Sequence, residues 1–191
     1  MFFISIKSRI ANPAQRVELT DSTFQNKKLN HHGKGIYSSS HKGKKVLYSF
    51  DYNLKIDGFD QIEGNANEGM LSAQKSNKYM FVDVKVDNVF KHYYHEVKPF
   101  NSEIGLVKYY DGWTMIDLNG KLKSYPSFNE LIYINKNLYK TNKKTLYGLV
   151  DSNGNYILDV KYEKIKINKN IIQTISNGEI HYYDLSGNLI F

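Results

Sequence analysis

With 191 residues, a formal net charge of +7 and no cysteine, the chain is long enough for one self-supporting domain burying roughly 70% of its unfolded surface, and it can form neither a disulfide frame nor a thiolate metal site. No run approaches the ~20 apolar residues of a membrane-spanning helix, and the apolar start Met1–Lys7 lacks the basic lead and small-residue cleavage site of a secretory leader, so a cytoplasmic protein is expected. Sixteen tyrosines and ten phenylalanines against three prolines favour half-buried strands over helices.

Residues 1–23 read as an N-terminal strand and cap, with Phe2 to Ile10 placed to complete or cover a sheet edge. The next stretch, 24–58, holds the charge. Residues 1–50 carry nine Lys/Arg against two Asp/Glu, whereas 51–191 carry seventeen of each. Lys27, Lys28, Lys34, Lys42, Lys44 and Lys45 interleave here with Tyr37 and Tyr48. Such a basic end on a balanced body suits an acidic partner. His31-His32-Gly33 reads as a solvated turn before a strand.

From residue 50 onward two markers recur in step. A pair of residues, apolar except at Ser49, precedes Asp51, Asp83, Asp117, Asp151 and Asp184, at intervals of 32, 34, 34 and 33 residues. An aromatic followed three residues later by an aliphatic recurs as Phe59/Ile62, Tyr94/Val97, Phe128/Leu131 and Tyr162/Ile165. One shared period means tandem units of about 34 residues, near 24–58, 59–93, 94–127, 128–161 and 162–191. The last unit shows the content most plainly. Short alternating or apolar runs, 162–167, 171–175, 179–183 and 189–191, are separated by turns rich in Asn, Gly and Asp. The expected fold is therefore all-β, five tandem β-meander repeats within a single domain.

The run before each aspartate is apolar on both faces, with Leu47, Tyr79, Trp113, Tyr147 and Ile180 to one side and Phe50, Val82, Ile116, Val150 and Tyr183 to the other. A sheet with one wet face would alternate, so each sheet should be covered by its neighbours. A propeller-like ring and an open β-superhelix both satisfy that condition. In Asp117-Leu-Asn-Gly120, Asp151-Ser-Asn-Gly154 and Asp184-Leu-Ser-Gly187 the aspartate opens a β-turn and the glycine closes it. Asp51 and Asp83 lack that glycine, and looser turns are expected there.

Trp113-Thr-Met-Ile-Asp-Leu-Asn-Gly-Lys121 and Tyr147-Gly-Leu-Val-Asp-Ser-Asn-Gly-Asn155 resemble the bacterial WG (KWG) repeat, whose form is aromatic, Gly, two apolar residues, Asp, two residues, Gly, Lys. The resemblance covers about residues 59–191 and, weakened, 24–58. The namesake dipeptide survives as Tyr147-Gly148, while Trp113 is followed by Thr114. The resemblance implies a β-rich repeat scaffold that binds proteins, and it transfers no catalytic residue.

Catalytic and cofactor chemistry finds no foothold. His92 and His95, three apart on an extended run, would point to opposite faces, so no metal is expected. The Gly33-Lys-Gly35 and Gly43-Lys-Lys45 runs lack phosphate-loop spacing, and nothing separates the environments of Asp57/Asp60 or Asp83/Asp87 into acid and base. The expectation is a non-catalytic, cofactor-free, protein-binding module, in the form of an immunity or inhibitor protein that occludes a toxin or effector with an acidic surface. Aromatic anchors would come from Tyr93, Tyr109, Tyr110 and Tyr139, read as exposed, with Lys136 to Lys144 read as an exposed hairpin. The alternative is a nucleic-acid or other polyanion-binding protein using the lysines of the first quarter. No membrane partner is expected.

Overall fold

The computed structural model describes residues 15–16, 24, 27–84, 88–89, 92–110, 112–125 and 127–191. Apart from the helical residue Phe24, every element among them is a strand, and the strands form five small antiparallel sheets. This is the all-β meander architecture expected from the alternating runs. The expected strand Phe2–Ile10 and the turn after Asp83 lie outside the described residues. The chain divides into two compact units, Met1–Tyr93 and Tyr94–Phe191.

In the first unit, β1 (Gln15–Arg16), β2 (Asn30–His31), β3 (Ile36–His41), β4 (Lys44–Ser49) and β5 (Leu54–Phe59) form one sheet in the order β1-β5-β4-β3-β2. The second sheet runs β6 (Gln61–Asn67), β7 (Met70–Lys75), β8 (Lys78–Asp83), β9 (Asn88–Val89). Alternation sends Ile36, Leu47, Leu54 and Ile56 of the first sheet into one core with Leu71, Ala73, Met80 and Val82 of the second. Each buried aliphatic side chain contributes about 1.5–3 kcal/mol to that packing. The two sheets are also tied by a polar link. His32 is buried, not solvated as its Gly- and Lys-rich surroundings suggest. Its Nδ1 lies 2.7 Å from the Gly64 carbonyl and its Nε2 2.8 Å from the Ser38 hydroxyl. A carbonyl can only accept, so Nδ1 carries the proton in that contact.

The second unit contains three sheets. They comprise β10 (Glu96–Asn101), β11 (Ile104–Tyr109) and β12 (Gly112–Ile116); β13 (Leu131–Asn135), β14 (Leu138–Lys143), β15 (Leu146–Val150) and β16 (Tyr156–Tyr162); and β17 (Lys164–Asn168), β18 (Ile171–Ser176) and β19 (Glu179–Asp184). One core gathers Ile104, Leu106, Trp113 and Met115 from the first of these with Tyr139 and Val150 from the second. The next core sets Leu138 and Leu149 against Ile165 and Ile172 of the third. Adjacent residues of β14 and of β15 thus enter different cores, which is why these strands are apolar on both faces.

The recurrent turns share one geometry. The amides of Gly120, Gly154 and Gly187 donate to the carbonyls of Asp117, Asp151 and Asp184 at 2.9, 3.0 and 3.1 Å. One carboxylate oxygen of each aspartate then accepts the amides two and four residues on: Asn119 and Lys121, Asn153 and Asn155, Ser186 and Asn188, all at 2.8–3.0 Å. Burial pushes the Asp151 carboxyl up, but these amides and the Asn155 side chain outweigh it and leave it below the usual carboxylate range. The Asn188 side chain and amide hold Asp184 low in the same way. Asp51 makes neither amide bond among the described residues; Asn53 takes a positive φ of 50°, and its amide reaches the Phe50 carbonyl at 3.3 Å. That turn is the looser one its missing glycine foretells.

Two of the turn glycines also govern packing between sheets. A Cβ on Gly154, at φ 83°, would stand 2.4 Å from the Ser124 Cβ, and one on Gly187, at φ 86°, 2.4 Å from the Ile157 carbonyl oxygen. Ser124 and Ile157 stand within one residue of equivalent positions in successive repeats, so each turn tucks against the return segment of the preceding sheet.

Candidate basic groove on the first sheet

Neighbouring strands of the first sheet present alternate residues to the face opposite its core. The register sets Tyr37 beside Tyr48, His41 beside Lys44, Tyr48 beside Lys55 and Val46 beside Asp57. Lys27 reaches this face from the segment before β2, with Nζ 3.5 Å from the Tyr48 hydroxyl and 5.5 Å from its ring centre. The result is a groove of about 390 Å³ floored by Val46 and Tyr48 and walled by Lys27, Lys42, Lys44, Lys55 and His41, with Asp57 the one carboxylate in its lining. Tyr48 is only 1% exposed, and its hydroxyl accepts from Ser39 Oγ at 3.3 Å.

The charges are unequally engaged. Lys55 pairs with Asp57 at 3.1 Å, and Lys44 pairs with Asp60. The Lys44 ammonium and the Ser76 amide hold the Asp60 carboxyl below its usual range. Lys42 sits in the β3–β4 turn at φ 49°, followed by Gly43 at φ 76°, a hairpin that matches the twist of its strands. It has no carboxylate partner among the described residues. A groove walled by cations and floored by a buried phenol has the means to fix an oxyanion, with the lysine stems packing along its apolar floor.

Of the lysines expected to meet a partner, Lys27, Lys42 and Lys44 converge on this groove. Lys28 and Lys34 are exposed away from its lining, and Lys45, on the other face of β4, donates to Ser40 Oγ at 3.0 Å. Lys55 and His41 were not among the expected contacts. Their only sequence signal is alternation across two hairpins, and a bulge at Lys45/Val46 interrupts it.

The tyrosines expected as anchors separate. Tyr110 is 86% exposed, edge-on to His95 at 4.1 Å. Tyr93 is half-buried against the first core, and Tyr109 packs edge-on against Tyr94 at 5.4 Å with its hydroxyl pKa pushed up by burial. Tyr139 is 0% exposed, which corrects its reading as a surface anchor. The run Lys136 to Lys144 is likewise no exposed hairpin, because β14 within it carries Leu138, Tyr139 and Thr141 into the interior. His92 and His95 lie before β10 rather than on a strand. No group of three His, Asp or Glu side chains suited to a metal ion occurs among the described residues. No helix among them is long and apolar enough to cross a membrane.

The family model of the WG containing repeat matches residues 147–173. The chain carries a WG repeat. The matched stretch opens on Tyr147-Gly148, passes through the Asp151 turn and β16, and ends within β18. Tyr147-Gly148 therefore stands in one sheet while the matched stretch finishes in the next. No curated protein sequence matches the chain significantly. Among solved structures it is similar to Kluyveromyces lactis Hsv2, at 10% identity and a TM-score of 0.43 over 85% of this chain and 62% of that one. It is also similar to the N-terminal domain of Nup159, at 9% identity and a TM-score of 0.41 over 85% and 59%. The chain thus spans less than two thirds of either of these structures.

Proposed function

We propose that the protein is a non-catalytic β-repeat binding module of the cytoplasm, whose first sheet offers its basic groove to the acidic surface of another protein. Occlusion of a toxin or effector, as by an immunity or inhibitor protein, is the specific form of that role. The observation that carries the reading is the convergence of four lysines and His41 on one groove with a single carboxylate in its lining. Lysines at such a site steer an acidic partner and fix its register. A nucleic acid would find the same cations, but the burial of Tyr48 withholds the aromatic platform on which single-stranded bases stack. The protein-partner reading is preferred on that ground.

Co-purification of the full chain from its native host at moderate salt tests the proposal. The expected result is a stoichiometric acidic protein whose affinity, measured with the purified pair, falls by on the order of tenfold or more for the K42E/K44E double variant. Recovery of nucleic acid alone, with binding that drops steeply as salt rises, would replace the protein partner with a polyanion.

A further inference from the structure

The two cores of the second unit reveal which face of each sheet looks forward along the stack. Ile104, Trp113 and Met115 cover the sheet that follows theirs, as do Leu138 and Leu149 one repeat later. The equivalent positions of the final sheet are Ile171, Ile180 and Tyr182, and register puts all three on one face, with Gln173 beside Tyr182 and Ile175 beside Ile180. Ile104 and Leu138 are 7% and 2% exposed, whereas Ile171 is 42% and Ile180 51% exposed. The apolar pattern of a covered face therefore persists where no described residue covers it.

Lys164 and Lys166 share this face, and Lys169 stands in the turn beside it. Lys166, Lys169, Ile171, Gln173 and Tyr182 border a groove of about 710 Å³. None of the three lysines has a carboxylate partner among the described residues. Asp184 also lies on this face, but its oxygens are taken by the amides of Ser186 and Asn188 and by the Asn188 side chain. At the sheet edge, the Tyr182 amide donates to the Phe191 carbonyl at 3.0 Å and the Ile190 amide to the Tyr182 carbonyl at 2.7 Å.

We propose that this face of the β17–β19 sheet forms a second docking surface, for a protein segment that presents aliphatic and acidic side chains together on one of its own faces. The aliphatic side chains lie over Ile171 and Ile180, and the carboxylates meet Lys164, Lys166 and Lys169. A second copy of the same face is disfavoured, because it would set lysine against lysine. The inference rests on the reading of the chain as a protein-binding module, but it uses none of the groove's residues, so the two can fail separately.

The test is titration of the isotope-labelled full chain with a short extended peptide in which isoleucine and glutamate take turns at every second position, with serine between them, so that both fall on one face. Two controls replace glutamate by lysine, or the aliphatic residues by serine. The first peptide is expected to shift the amides of Ile171, Gln173, Ile180 and Tyr182, to bind about tenfold more weakly to I180D and to K166E, and to bind K42E/K44E as it binds the native chain. Should I180D lower the melting temperature, K166E, at an exposed side chain, supplies the answer alone. The surface assignment is overturned if the glutamate peptide does not bind, if the lysine peptide binds equally well, or if K166E leaves its binding unchanged. Self-association in sedimentation that I180D abolishes would also overturn it, in favour of a second copy.

Discussion

The return segments after Asp117 and Asp151 begin alike and end differently. Both follow the same aspartate turn, and both bring an aromatic back beside the one that opened the motif: Phe128 beside Trp113, Tyr162 beside Tyr147. After Asp151 the chain forms β16, a seven-residue strand. After Asp117 the described residues make isolated bridges, at Leu122 and Phe128. The position after the aromatic separates the two cases. At Gly148 the returning chain comes so close that a Cβ would lie 2.8 Å from the Leu158 carbonyl oxygen and from Val160 Cγ2. At the equivalent Thr114 there is a side chain, whose hydroxyl donates to the Ser124 carbonyl at 2.7 Å and lies 3.0 Å from Ser124 Oγ. In the β13–β16 sheet Gly148 thus leaves clearance for the fourth strand, whereas at Thr114 a hydroxyl holds the return segment by hydrogen bonds.

The comparison can be broken most forcefully at Gly148. G148V should lower stability by about 3 kcal/mol, because the new side chain displaces β16; a denaturant titration that returns the native midpoint would show that no clearance is needed. Gly187 and Gly154 come next. Alanine at either faces both the left-handed conformation and the neighbouring sheet, and a loss of about 2–3 kcal/mol is expected. If G187A and G154A cost no more than an alanine in an open turn, the contact with the preceding sheet contributes nothing. At Thr114 the expected loss is smaller. T114V removes the bonds to Ser124 while keeping the shape, for about 1–2 kcal/mol, with faster amide exchange in 121–128.

The smallest effect concerns pH. The folded-state pKa values of Asp151 and Asp184 lie below the usual carboxylate range. Their stabilisation is accordingly complete above that range and fades as pH falls through it toward the folded values. A plot of melting temperature against pH should drop on its acid side, and D151N/D184N should flatten that drop by lowering the plateau near neutrality toward the acid values. An equally steep acid limb in the double variant would assign the loss to other carboxylates.

The turns and the strand order were legible because a near-constant interval combined with local chemistry: Asp accepting from amides, Gly at positive φ, aromatics returning every 34–35 residues. Tyr139 and His32 were not. Tyr139 lies among Lys136, Lys140, Lys143 and Lys144, yet the preceding sheet covers one face of β14 and the following sheet the other, and no pattern within the strand records that cover. His32 is fixed by Gly64, which is 32 residues away. The groove was half legible: its lysines stood out by composition, but only strand register separates Lys44, which enters it, from Lys45, which does not.

The turn contacts made by Gly154 and Gly187 act as a pitch gauge. From Gly154 to Gly187 is 33 residues, and from Ser124 to Ile157 is also 33, so each loop arrives opposite its seat only if the intervening length is conserved in total. An insertion between the two seats would drive backbone into backbone unless matched by a deletion nearby. Length changes in this part of the molecule should therefore be accepted in whole-repeat increments or not at all, whatever the composition of the inserted residues.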